Sequence, residues 1–269
     1  MWQDTYPSSE ILTVTASNQA VTGNHEKAVL SAYLAIDLVT DSKTRFSAGA
    51  FVILDIAYLG SKWQIERVRS QLSWHDGDAS ARPQWVLPRE TGWQAGDPDP
   101  VFVSELDAPW HAMPVLDLAG DEETQIAELF YRYAWALDQA DFTLLASCYA
   151  TDAAGDFRPI GQFKGRGAIV GQMKAFRMPW PQMQHYIVPL DIRVSGDLGE
   201  MIVGRLVPQR SGSRGVYGAH YRVKLRRRSK RWLIIWSEYV PGWFKSDDAD
   251  YSVWHREACV RLLDANPDI

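Results

Sequence analysis

The sequence has little of what would mark a secreted scaffold, a membrane protein or a nucleic-acid binder. Its 269 residues include two cysteines, Cys148 and Cys259. That is too few for a disulfide framework, and it fits a reduced, cytoplasmic setting. No apolar run approaches the ~18 residues of a membrane span; Phe51, Val52, Ile53 and Leu54 are followed at once by Asp55. The opening MWQDTYPSSE has no basic n-region and no apolar h-region, so no signal peptide is expected. Positive charge is not in excess either: 28 Lys and Arg against 33 Asp and Glu leave a net charge of -5, where nucleic-acid binders usually carry a basic surplus. The short basic run RRRSKR (226–231) reads as a solvated hairpin tip. HExxH, CxxC and clustered metal-ligand spacings are missing, so no metal and no other cofactor are expected. No GxSxG or Cys-His signature supports a covalent nucleophile.

What is present is a globular composition, 46% hydrophobic and 23% charged, with 12 Trp. A chain this long can bury a core without staples. Residues 1–80 read as strands: ILTVTA (11–16), KAVLSAYLAIDLV (27–39), AGAFVILDIAYL (48–59) and WQIERVRSQLSW (63–74), punctuated by Gly, Asn, Asp and Ser. Residues 81–119 form a connector rich in Pro that carries Trp85, Trp93 and Trp110, and it is expected to be pinned against a domain. Residues 120–245 form a mixed domain. EETQIAELFYRYAWALDQAD puts Ile126, Leu129, Phe130, Tyr133 and Leu137 at helical spacing behind an acidic start. Short helices are expected over 142–149 and 165–176, a strand or hairpin over 155–165, and strands over 185–194, 201–209, 216–227 and 232–240. Residues 246–269 should end in a helix with Tyr251, Trp254, Ala258 and Leu262 on one face.

An internal repeat links the two halves. GAFVILDIAYLGSKWQIERVRSQLSW (49–74) aligns without gaps to GAHYRVKLRRRSKRWLIIWSEYVPGW (218–243). Gly49 meets Gly218, Ala50 meets Ala219, Trp63 meets Trp232, Ile65 meets Ile234 and Trp74 meets Trp243.

Residues 121–243 resemble the nuclear transport factor 2-like superfamily, above all its SnoaL-like branch. The resemblance rests on Ile126, Leu129, Arg132, Tyr133, Leu137, Asp138 and Asp141 in and just after the first helix, and on Gly165, Arg166, Ala168 and Ile169 opening a later one. His185 then starts a strand, and a hairpin ends with Trp232 and Ile234. It implies an α+β fold in which a curved antiparallel sheet wraps helices into a cone with an apolar pocket. The repeat then implies that residues 10–74 are a partial, strand-only second copy. The expectation for that copy is a four-stranded sheet packed face to face on the sheet of the C-terminal domain, like the two halves of a dimer.

The branch includes dehydratases, a dehydrochlorinase, polyketide cyclases and carbon–carbon lyases that work by proton transfer without a cofactor. The resemblance therefore implies a lyase or isomerase acting on an apolar, aromatic or polycyclic hydroxy or carbonyl compound. It assigns catalysis to Asp138 and His185, with Tyr133 assisting. An imidazole held by a carboxylate is a competent base near neutral pH. Substrate contacts are expected from His220, Trp180, Phe157, Trp135 and Glu238. Strand alternation places His220, Arg222 and Lys224 on one face and Tyr221, Val223 and Leu225 on the other, and leaves open which face looks inward. The expected partner is a small hydrophobic substrate, with a homodimer or other homo-oligomer as the assembly. A non-catalytic ligand-binding or assembly protein of the same fold is the alternative.

Overall fold

A computed structural model describes residues 11–39, 45–78, 80, 82–83, 85, 108–113, 120–179, 183–208 and 216–241. Trp93, Trp180, Trp243 and the helix expected over 246–269 lie outside the described residues. No described helix is long and apolar enough to cross a membrane.

The chain builds two sheets. The first is an antiparallel meander of β1 (Ile11–Gly23), β2 (Lys27–Val39), β3 (Arg45–Leu59) and β4 (Lys62–Gly77), in that spatial order. Asn24 shapes its first turn by accepting the Glu26 and Lys27 amides. The second sheet has the order β6-β5-β10-β9-β8-β7. Its strands are β5 (Tyr149–Phe157), β6 (Gly161–Lys164), β7 (Tyr186–Ser195), β8 (Leu198–Pro208), β9 (Val216–Arg228) and β10 (Arg231–Pro241). All its neighbours are antiparallel except β5 and β10. This sheet is curved and folds around α2 (Glu122–Asp138), α3 (Phe142–Ser147) and α4 (Arg166–Arg177), giving the expected α+β cone. A single turn, α1 (Pro109–Ala112), precedes them.

The helices start where the sequence signals. Asp121 caps α2 by accepting the Thr124 amide, with Glu122 and Glu123 in the first turn complementing the helix dipole. Asp141 caps α3 through the Leu144 amide. Gly165, at φ +86, is the turn that opens α4, a conformation that a side chain would strain.

Helix α2 is the centre of the molecule because it is apolar on two sides. Phe130 and Tyr133 pack against Tyr221 of β9, inside the cone. Trp135 turns the other way, with its ring 5.9 Å from Tyr33, 5.5 Å from Phe51 and 6.3 Å from Trp110. The N-terminal sheet therefore covers the outward side of α2, with edge strand β1 running beside β7. This corrects the expected face-to-face packing of two sheets. The described residues of 11–77 bring no helix, but the other half supplies one with a bare apolar stripe, and burying both at once satisfies each.

The two hairpins of the sequence repeat share local geometry. Gly60 and Ser61 turn β3 into β4, and Ser229 and Lys230 turn β9 into β10; all four have positive φ, as two-residue hairpins of matching twist require. Each second strand bulges at one equivalent residue, Glu66 in β4 and Ile235 in β10, positions that coincide in the gapless alignment; β4 bulges once more at Ser73. What covers them differs: Trp232 is 3% exposed, whereas Trp63 is 43% exposed.

Candidate active site

The last residue of α2 and the segment leading into β7 form the site. Asp138 Oδ1 is hydrogen-bonded to His185 Nδ1, and Asp138 Oδ2 accepts the His185 backbone N–H at 2.8 Å. Both side chains are buried. The carboxylate has a further donor that the sequence does not announce: Tyr33 of β2 gives its hydroxyl to Oδ2 at 2.8 Å. Beneath it, Arg177 of α4 donates Nε to the Leu137 carbonyl at 3.0 Å and Nη2 to the Asp138 carbonyl at 2.7 Å. A cation thus sits on the C-terminal end of α2, where the helix dipole favours it.

Two further contacts hold His185 in place. Asn18, in the bulge of β1, donates to the His185 carbonyl at 2.9 Å and accepts the Ile187 amide at 2.8 Å. Gln184 accepts from the Trp74 indole at 2.8 Å and donates to the Ala50 carbonyl at 2.9 Å. That crossing needs the bare backbone of Gly49, where a Cβ would lie 2.0 Å from Trp74 Nε1 and 2.2 Å from Gln184 Oε1.

The electrostatics decide the protonation state of the imidazole. Burial lowers the His185 pKa, the nearby Arg205 lowers it further, and Asp138 opposes both. The ring is therefore neutral near pH 7. With Nδ1 against a carboxylate, its one proton sits on Nδ1 and is donated to Asp138. Nε2 is left as a bare acceptor, buried and without a hydrogen-bond partner among the described residues.

Tyr133 does not bond to this pair. Its hydroxyl lies 3.4 Å from that of Tyr221, which also receives Arg205 Nη1 at 3.4 Å. Burial holds the Tyr133 pKa well above its ordinary value, so the phenol stays protonated. Arg205, 7% exposed, lies over the Tyr239 ring at 5.3 Å. These groups share the face of the sheet that looks toward α2.

The other expected contacts fall elsewhere. His220 alternates with Tyr221 and so occupies the opposite face, where burial and Arg222 lower its pKa to about 4. Glu238 lies on that same outer face and accepts from Arg158 at 2.8 Å and Arg222 at 2.6 Å; it is an ion-pair residue. Trp135 points to the N-terminal sheet, as described. Phe157 is buried in the cone's core against Phe163, with ring centroids 6.2 Å apart. Trp180 lies outside the described residues. A cleft of about 640 Å³ opens between β1, α2 and β7, lined by Asn18, Ala20, Thr124, Glu128, Tyr131 and Pro189 among others. Neither Asp138, His185 nor Tyr133 lines it. Among the described residues no three His, Cys, Asp or Glu side chains gather as a metal site would require.

Residues 120–236 match the model of the SnoaL-like domain family, so the cone is a SnoaL-like domain. No protein of curated function matches the chain. A solved structure of a nuclear transport factor 2-like protein with a cystatin-like fold, from Novosphingobium aromaticivorans, is 22% identical with a TM-score of 0.42, over 53% of this chain and 89% of that one. A putative scytalone dehydratase from the same organism is 17% identical with a TM-score of 0.41, over 48% and 89%. A hexachlorocyclohexane dehydrochlorinase from Novosphingobium barchaimii LL02 is 22% identical with a TM-score of 0.40, over 46% and 88%.

Proposed function

We propose that the SnoaL-like domain is a cofactor-independent lyase or isomerase and that His185, oriented by Asp138, moves the proton. The observation that carries this reading is the state of His185: Nδ1 is tied to a buried carboxylate, while Nε2 is buried, neutral and without a partner among the described residues. A base whose lone pair faces no donor among the described residues is free to take a proton from a substrate that reaches it.

In an elimination, Nε2 takes a proton from carbon as the neighbouring C–O bond breaks. The C–H electron pair becomes the new C=C bond, and the imidazolium, stabilised by Asp138, returns its proton to the departing hydroxyl to form water. In an isomerisation the same proton goes back to a different carbon. In carbon–carbon cleavage His185 takes the hydroxyl proton of a hydroxymethyl group, formaldehyde leaves as the C–C bond breaks, and the electron pair left on the neighbouring carbon takes the proton back from the imidazolium. Tyr133, kept protonated by burial, is a donor for a developing oxyanion, and the Arg205 cation adds to that stabilisation. The substrate class proposed is an aromatic or polycyclic hydroxy or carbonyl compound; Phe130, Tyr133, Tyr149 and Tyr221, which pack against one another inside the cone, are the aromatic side chains it would have to part to reach the pair. His220, Glu238 and Trp135 have no part in this reading, because their geometry takes them away from His185.

A second reading, assembly without catalysis, draws support from an apolar stripe on the outer face of the N-terminal sheet. Tyr58, Trp63, Ile65 and Val68 are exposed there, as in a surface that pairs two copies of a chain. The test that separates the readings uses the EDTA-treated full chain and a panel of aryl and polycyclic hydroxyketones and alcohols, with products followed by mass spectrometry. Catalysis predicts turnover of at least one compound that His185→Ala abolishes. Turnover that survives in His185→Ala refutes it.

A further inference from the structure

The carboxylate of Asp138 belongs to the SnoaL-like domain, but one of its three hydrogen-bond donors does not. Tyr33 sits on β2 of the N-terminal sheet, 105 residues away in sequence, and is fully buried. Its ring is fixed from several sides: Phe51 meets it edge-on with centroids 4.8 Å apart, Tyr186 edge-on at 6.1 Å, and Trp135 tilted at 5.9 Å. The hydroxyl thus has little freedom and points at Oδ2. Oδ2 also accepts the His185 N–H, which leaves Oδ1 to the imidazole. The carboxylate is held at one end by the N-terminal sheet so that its other end stays on Nδ1.

We propose that Tyr33 is a positioning residue for the Asp138–His185 pair, so that the proton-transfer centre is completed by the N-terminal sheet and not by the SnoaL-like domain alone. This rests on reading that pair as the reacting one.

The chemical consequence follows from where charge resides. A phenol donating to a carboxylate draws negative charge toward itself. The remaining charge on Oδ1 is what favours imidazolium over imidazole. Tyr33 therefore keeps His185 a weaker base than Asp138 alone would make it. The other charged or titratable groups around the imidazole are Arg205 from β8, Arg177 from α4 and Tyr186 from β7. Among the described residues none of them donates to Oδ1 or Oδ2, so replacing the Tyr33 hydroxyl removes one donor to the carboxylate and leaves the others in place.

The test is Tyr33→Phe in the full-length chain, which keeps the ring and its packing and removes the hydroxyl alone. The His185 ring nitrogens are followed by proton–nitrogen NMR from pH 4 to 8, with His185→Ala supplying the assignment. Phe51→Leu serves as a control that loosens the same interface without touching Asp138. The expected result is that the titration midpoint of His185 rises by roughly half to one pH unit in Tyr33→Phe and stays put in Phe51→Leu. A folded Tyr33→Phe with an unchanged midpoint overturns the proposal, and so does an equal rise in Phe51→Leu. Should Tyr33→Phe not fold, the wild-type Tyr33 hydroxyl proton decides. A slowly exchanging signal that moves in Asp138→Asn upholds the contact, and no protected signal refutes it. Because these readouts need no substrate, a failure of the lyase reading leaves them intact. Turnover with an unmoved midpoint would sink the Tyr33 proposal alone.

Discussion

Replacing Asp138 by asparagine is the sharpest single perturbation of this site, because the two side chains have the same shape and differ only in what they can accept. Asp138 accepts three hydrogen bonds: the imidazole on Oδ1, and the His185 amide and the Tyr33 hydroxyl on Oδ2. An asparagine has one oxygen. If that oxygen stays with the two donors at the Oδ2 position, its NH2 faces Nδ1, and Nδ1 must become an acceptor. The imidazole proton then moves to Nε2, and the base is lost. If the oxygen instead faces Nδ1, the NH2 points at the His185 N–H, a buried clash of two donors. The first arrangement leaves Nε2–H and one amide hydrogen without a partner among the described residues but avoids the head-on clash of donors, so Asp138→Asn should carry His185 as the Nε2–H tautomer. The loss of one charged hydrogen bond costs about 1–3 kcal/mol of stability, roughly 2–4 °C in melting temperature per kcal/mol for a chain of this size. Loss of the base costs about 10²–10⁴ in rate. Long-range proton–nitrogen NMR reads the tautomer directly, and a thermal melt reads the stability. A folded Asp138→Asn that keeps the proton on Nδ1 would refute the reasoning about who holds it.

Three other perturbations probe the supporting structure. Gly49→Ala should lower the melting temperature by the equivalent of about 1–3 kcal/mol, since its Cβ has to displace the Trp74–Gln184 hydrogen bond; an unchanged melt would contradict that crossing. Trp135→Ala should cost about 3–5 kcal/mol and expose the N-terminal sheet to limited proteolysis before the SnoaL-like domain, as mass spectrometry of the fragments would show. Both His185 and His220 have folded-state pKa values below the ordinary histidine value. The unfolded chain therefore binds their protons first as pH falls. Stability is intact above about pH 6.5 and declines below it, down to about 4 for His220. Melts at successive pH values should show this decline, and His220→Gln should flatten part of it.

Some of this was legible in the residues and some was not. Local signals carried the helices: the acidic start of α2 and the spacing of Ile126, Leu129, Phe130, Tyr133 and Leu137 along it. Alternation separated His220 from Tyr221, but a period of two does not say which face is inside. The packing of Tyr221 on α2 decides it, and His220 falls outside. Trp135 reads as a pocket wall as long as α2 is thought to bury one stripe; the helix buries two, and nothing in a single helix tells which partner takes which. Arg205 did leave a signal, a lone charge in the apolar strand MIVGRLVPQ, in step with Met201 and Val203. Tyr33 left none. In KAVLSAYLAIDLV it is one more strand aromatic, and its role depends on a contact across 105 residues.

The central claim is that His185 removes a proton from carbon without a cofactor, and solvent isotope exchange tests it most directly. The EDTA-treated full chain is incubated in deuterated buffer at pH 7 with simple aryl ketones, and deuterium entering beside the carbonyl is followed by NMR. The account predicts exchange above background with the wild-type chain, at least about a hundredfold slower in Asp138→Asn and absent in His185→Ala. Exchange that persists undiminished in a folded His185→Ala would contradict it.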